Sequence, residues 1–466
     1  MRKISFPLVI CLAVALPAWA QNTDIDSLAG PQFNFGNPGA RSLGMAGAFL
    51  GLADDASAAE ANPAGLTILR KLEASIELRN YQEQQVFTTS GTYPDLQRTA
   101  FSHYNHRLTF GSVVIPFKKF TIGAYYHEPL RNQGTGEVVP KRNKLSGAII
   151  TDVPDFYLPR DGGGPVSKSQ CEAMRQRLND PFSCANYTIN PFLSAATVQE
   201  RTFGIAAAYK IGNVSVGATA RYQKFNESAF TFRVTPFGDF SSIIVQATSD
   251  ITAANDKAKD QNDLTFAGGV KWTLNDRLSV GAVYKQGAKF PAPWFAMNAN
   301  TNFQFVKGAD TTFHIPDIYG VGVSVRPIPV LTINADAVRV TYSNLVDDFV
   351  SINEDIRALG DVHKENDVIE IHLGGEYFFF TRFPFAVRAG VWRDPAHSME
   401  FRGPLDKGDT IARATAVTEA VLFPKGQAQN HVSIGAGMAW PRFQIDAAFD
   451  RSKRYNVGSI SLVTRF

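Results

Sequence analysis

Among the residues that could carry chemistry, the most suggestive spacing is Glu370, His372 and Glu376. A histidine between carboxylates can serve a metal site or a proton-transfer pair. The same residues, however, alternate with Ile369, Ile371, Leu373 and Tyr377, and a strand with one polar face explains them without a metal. The eight histidines show no Ser/His spacing that suggests a nucleophile and its base, so no catalytic residue, metal ligand or cofactor is assigned. Cys171 and Cys184 are close enough in sequence to form a disulfide if the chain is exported, with two free thiols as the alternative. Such a short loop is worth about 3 kcal/mol in the chain-entropy picture.

Two groups of residues could bind a ligand. Period-two phasing turns Arg221, Lys271, Lys285, Asp336, Glu370, His372, Glu376, Arg388 and Asp446 to one face. Among these cations, Arg221 and Arg388 are the candidates to hold a carboxylate headgroup, against the plainer reading that lumen charges pair with each other. The second group is apolar and falls in two long connections. One holds Phe225, Phe230, Phe232, Phe237 and Phe240, then Ile243-Ile244-Val245; the other holds Phe290, Trp294, Phe295 and Met297, then Phe303 and Phe305. Concentrated apolar area on loops either captures a ligand or packs on itself. An alkyl chain would gain about 0.8 kcal/mol per buried methylene there.

The elements that would position these groups are strands. Alternating segments lie at about 70–83, 107–116, 119–128, 199–211, 213–226, 262–274, 276–289, 312–326, 329–342, 366–380, 382–394, 428–440, 441–453 and 455–466. Tight turns such as Phe117-Lys118, Gly212-Asn213 and Asn275-Asp276 alternate with long connections such as 84–106, 129–198 and 227–261. Short turns at one end and long loops at the other are the layout of an outer-membrane barrel, and a soluble sandwich has no reason to keep it. The predicted fold is therefore all-β: a transmembrane antiparallel β-barrel of about 14 strands.

The compartment follows from the termini. Arg2 and Lys3, the apolar stretch from Ile4 to Leu16 and the small-x-small Ala18-Trp19-Ala20 make residues 1–20 a signal peptide. Losing Arg2 and Lys3 takes the net charge from +3 to about +1, which gives no call for nucleic acid. The last strand ends on Phe466, an aromatic suited to the lipid–water boundary and to recognition by barrel-assembly machinery. The expected location is the bacterial outer membrane, in contact with its lipid, with a monomer as the expected state.

Residues 21–69 do not read as strand. Asp54-Asp55 before Ala56-Ser57-Ala58-Ala59 is a helix start, and Asn62-Pro63-Ala64-Gly65 breaks it. Such a small-residue segment suits a compact plug, or hatch, inside a barrel formed by 70–466. Gly39-Ala40-Arg41-Ser42-Leu43-Gly44-Met45-Ala46-Gly47-Ala48-Phe49, Ala53-Asp54-Asp55-Ala56 and Asn62-Pro63-Ala64-Gly65-Leu66 resemble the start of the FadL family. These are outer-membrane transporters of long-chain fatty acids and other hydrophobic compounds. Phe313-His314-Ile315-Pro316-Asp317-Ile318-Tyr319-Gly320 is similar to a proline-containing strand entry in that family.

The resemblance implies capture by outer loops, a lumen pocket above the hatch, hatch movement and a lateral exit at a kink in the third strand. In Phe120–Tyr126 the one candidate irregularity is Gly123. The competing readings are a non-transporting member acting as a secretion or assembly shuttle, an outer-membrane hydrolase and an open porin.

Overall fold

The computed structural model describes residues 35–466 apart from 89–96, 139, 143–148, 152–155, 188–191, 235–239, 248–260, 299–303, 305, 308–311, 347–361, 383 and 424. The signal segment 1–20, residues 21–34, Phe237, Phe303 and Phe305 lie outside the described residues, as do the side chains of Phe230, Phe232, Phe240 and Trp294.

The alternating segments close into a wall of fourteen strands. They are β1 (Glu73–Thr88), β2 (Gln97–Phe117), β3 (Phe120–Val138), β4 (Phe192–Ile211), β5 (Val214–Val234), β6 (Gln261–Asn275) and β7 (Leu278–Lys285). The second half comprises β8 (Ile318–Ile328), β9 (Leu331–Val340), β10 (Val368–Phe379), β11 (Phe385–Asp394), β12 (Gln429–Ala439), β13 (Phe443–Arg451) and β14 (Tyr455–Arg465). Each pairs antiparallel with the next, and β14 returns to β1 from Glu73↔Arg465 to Glu83↔Tyr455, so no edge strand is left. Lys118 and Gly212 take φ of 53° and 61° in the tight turns after β2 and β4, the left-handed geometry that short hairpins require.

The two faces of this wall differ as the alternation dictates. Ile205, Phe266, Ile369, Ile434 and Ile460 point outward and are more than half exposed, an apolar belt that only lipid can cover. Aromatic pairs mark its margins: Phe117–Phe120, Phe379–Phe385 and Trp440–Phe443 at the short-turn end, Tyr126–Phe203 and Tyr284–Tyr319 toward the long loops. All nine charged residues phased inward from the sequence are buried inside. No helix among the described residues is long and apolar enough to cross a membrane. The chain is a transmembrane β-barrel of the bacterial outer-membrane type.

The strands rise further than the sequence suggests. β2 begins at Gln97 instead of 107, and β5 runs to Val234 instead of 226. Phe225, Phe230 and Phe232 are thus on a strand, and Phe240 opens the short strand Phe240–Ala247 that pairs back onto β5. The expectation that these phenylalanines sit on a loop is corrected. Their own period of two, Phe230-Thr231-Phe232-Arg233, was already the strand signal.

A second correction concerns β3. Gly123 is regularly paired, with Val114 on one side and Ala206 on the other. The irregularity lies higher, where the β3–β4 register shifts between His127 and Leu130. Pro129 sits in that step, and without an N–H it cannot continue the ladder. Among the described residues the β2–β3 ladder stops at Phe110↔His127, although both strands continue. The wall therefore has a seam above His127.

Residues 39–69 run inside the barrel. Helix α1 (Ala40–Gly44) packs on β12 to β14, and helix α2 (Ala58–Ala61) ends at Asn62, whose side chain caps the 3-10 turn Pro63–Ile68. The wall has glycines where this segment touches it. A Cβ at Gly374 would meet the Met45 backbone, at Gly217 that of Pro63 and Ala64, and at Gly269 the Asn62 side chain.

Candidate ligand-binding site in the barrel lumen

The lumen has two kinds of interior, set by depth. At the level of the inner segment it is ionic. Arg41 bonds Glu376 at 2.8 and 3.0 Å and pairs with Asp54 and Asp55. Glu376 also accepts from Arg388 at 2.6 Å, and Arg388 reaches Asp446 at 2.9 Å. On the other side of the lumen, Glu60 of α2 faces Lys285 at 3.0 Å, Arg221 at 3.7 Å, His127 at 3.8 Å and the Tyr125 hydroxyl. Asp336 accepts from the Phe49 and Leu50 N–H groups at 2.6 and 2.8 Å, and the Lys271 ammonium donates to the Leu52 carbonyl. The two cations selected from the sequence, Arg221 and Arg388, are thus engaged by the chain's own carboxylates. Asn62, of the Asn62-Pro63-Ala64-Gly65 break, donates to the Leu50 carbonyl at 3.1 Å.

Above this layer the interior turns aromatic. A cavity of about 80 Å³ is floored by Leu43, Ala46 and Gly47 and walled by inward residues of β10 to β14 and β1. His372, Trp392 and His431 are register neighbours on β10, β11 and β12, so their rings stack in a row, with centroids 5.1 and 3.9 Å apart. Tyr455 continues the row at 6.4 Å from His431. The polar atoms around it are mostly spoken for. Arg79 donates to Glu77 and to the Asn37 carbonyl, and His372 bonds the Ala46 carbonyl at 2.7 Å and Glu370 at 3.3 Å. Asp450 accepts from Ser433, from Trp392 at 3.2 Å and from His431 at 2.6 Å. A larger cavity of about 410 Å³ lies at the short-turn end, but Asp54, Lys271, Asp276, Arg277 and Arg326 give it a charged lining suited to water.

The mouth is closed by rings. Phe225 stacks on Phe290 at 4.8 Å and on Phe313 at 4.6 Å, within a buried apolar cluster that includes Leu130, Val198 and Ile315. Phe290 belongs to a two-stranded antiparallel pair of Lys289–Pro291 with Thr312–His314 and is buried, Phe295 is buried nearby in the chain, and Met297 is half-buried. Higher still, helix α3 (Lys168–Leu178) carries Cys171, which is joined to Cys184 by a disulfide. Arg413 of helix α4 (Thr410–Leu422) is buried against that loop, donating to the Gly163 and Arg160 carbonyls at 2.9 and 3.1 Å.

Around the aromatic cavity, Glu370 and His372 were expected to face inward and Leu43, Ala46 and Gly47 belong to the N-terminal motif, whereas Trp392, His431, Asp450 and Tyr455 were not singled out from the sequence. A signal existed: Arg388 faces inward, and counting in twos along β11 brings Gly390 and Trp392 to the same face.

A comparison with protein-family models finds no match, and no curated protein matches the sequence. Solved structures do. A Pseudomonas aeruginosa FadL homologue aligns over 94% of this chain and 99% of its own, with a TM-score of 0.57 at 15% identity. The P. putida toluene transporter TodX aligns over 93% and 99%, with a TM-score of 0.55 at 13% identity. The Ralstonia pickettii toluene transporter TbuX aligns over the same shares, with a TM-score of 0.54 at 15% identity. At these identities the likeness establishes the fold.

Proposed function

We propose that this chain, an outer-membrane barrel with the FadL-type fold, is a passive entry route for small hydrophobic compounds. The observation that carries this reading is the aromatic cavity: an apolar chamber between the ring-closed mouth and the ion-locked inner segment. Two of the similar structures are toluene transporters, which supports the same class of cargo. The chamber's volume of about 80 Å³ argues against a long-chain fatty acid, because pockets for larger ligands run to roughly 300 Å³ and more, and even a single ring needs the walls to part a little. A fatty acid would also need a cation, and Arg221 and Arg388 already hold Glu60, Glu376 and Asp446.

In this reading Phe230, Phe232, Phe240, Phe290, Trp294, Phe295 and Met297 form the apolar capture surface, and the inner segment acts as the hatch below. The seam between β2 and β3 opens the way out toward the membrane. Arg107 of β2 and Glu128 of β3 clasp that seam at 2.8 Å, and Arg107 lies over the Tyr81 ring at 5.5 Å, next to the cavity.

The test is uptake of labelled toluene and labelled palmitate by cells with and without the chain. Toluene entry should rise with the wild type and fall with Trp392→Ala at equal barrel content. If neither compound enters faster when the chain is present, the transport reading is wrong.

A further inference from the structure

One polar atom of the cavity's described lining is left without a partner. His431 is buried, its Nδ1 lies 2.6 Å from the Asp450 carboxylate, and its Nε2 has no hydrogen-bond partner. Among the described residues lining the cavity, Nε2 is the buried side-chain polar atom left unmatched. Asp450 can only accept from the ring, which places a hydrogen on Nδ1. With the hydrogen on Nδ1, Nε2 is the ring's hydrogen-bond acceptor.

We infer that the cavity selects small aromatic compounds bearing one hydroxyl, of the phenol class, with the hydroxyl at His431 Nε2 and the ring packed among the aromatic walls. This rests on the cavity being the binding chamber proposed above. A hydroxyl on a neutral ring can donate to this nitrogen. A plain hydrocarbon leaves Nε2 buried and unmatched. A carboxylate would meet Asp450 and Glu370 in the lining, while the Arg79 guanidinium is taken by Glu77 and the Asn37 carbonyl.

The experiment is calorimetric titration of the purified full chain in detergent with phenol, toluene and benzoate. For the wild type, phenol should bind about tenfold more tightly than toluene, the worth of one well-made hydrogen bond. In His431→Phe the two should bind alike, with toluene affinity retained. Trp392→Leu should weaken both together. Equal binding of phenol and toluene by the wild type overturns the hydroxyl inference while leaving the hydrophobic chamber standing. So does benzoate binding more tightly than phenol. If none of the three binds, the chamber itself is wrong. The wild-type ratio alone decides the matter should either variant fail to assemble.

Discussion

The inner segment and the barrel mouth both obstruct the lumen, but they do it with different forces. The segment is held by buried charges that each have several fixed partners, such as Arg41 with Glu376, Asp54 and Asp55. The mouth is held by stacked rings, Phe225 on Phe290 and Phe313. Breaking one member of a buried ion network strands its partners, a cost that rises steeply with small displacements. Apolar contacts have no such direction, and an incoming apolar molecule replaces what it parts. Ligand entry should therefore be a local event at the mouth, with the segment fixed until something larger moves it.

The largest effect should come from Arg41→Met. It leaves Glu376, Asp54 and Asp55 short of a cation in a buried setting, and loss of one partner of such a pair costs about 3–5 kcal/mol. Chemical denaturation in detergent should register this as a lower midpoint, whereas Phe290→Ala should admit small solutes faster with the inner segment still protected from proteolysis. If Arg41→Met is as stable as the wild type, the charge lock is not what holds the segment.

Much of this was readable from the residues. Alternation fixes which side chains face in, and the nine inward charges follow from counting in twos. The Asn62-Pro63 break and the Ala-rich turn before it are local, so they too were legible. What could not be read was pairing across the lumen. Glu60 meets Arg221 only because α2 is threaded back inside the wall, a contact between residues 161 positions apart along the chain. The seam was half legible: Pro129 stood in the sequence one residue beyond where the strand was expected to stop.

The mouth also carries buried ionic contacts, His363 with Glu419 at 3.2 Å and His397 with Asp394, and the second can be used to test the contrast. His397, beyond the end of β11, stacks on Tyr342 at 3.9 Å and lies 3.1 Å from Asp394. Burial pulls its pKa down, but Asp394 and the nearby Glu365 outweigh this and raise it to about 9. A raised folded-state value means the stabilisation is complete below about pH 6.5 and gone by about pH 9. Thermal unfolding of the wild type should lose on the order of 3 kcal/mol at most across that window. His397→Phe should lack this component, because the ring is kept and the titrating group removed. An identical pH profile for the two would show that the His397–Asp394 contact adds nothing to the rings at the mouth.

The smallest expected effect is also the one that tests the way out. Among the described residues the seam above His127 is bridged by Arg107, which pairs with Glu128 and donates to the Arg131 carbonyl at 3.3 Å, and not by a backbone ladder. Glu128→Gln keeps the shape and the Tyr126 and Gln199 contacts in reach but weakens the hold on Arg107. Stability should fall by about 1 kcal/mol, less than for Arg41→Met, because Arg107 keeps the Arg131 carbonyl and the Tyr81 ring and the β1–β2 and β3–β4 ladders remain. Transport should respond more than stability does: toluene should pass faster through Glu128→Gln, and a disulfide between introduced cysteines at Arg107 and Glu128 should stop it reversibly. A cross-linked seam that leaves the rate unchanged would place the exit below, past the inner segment, and the segment would then have to move despite its ionic lock.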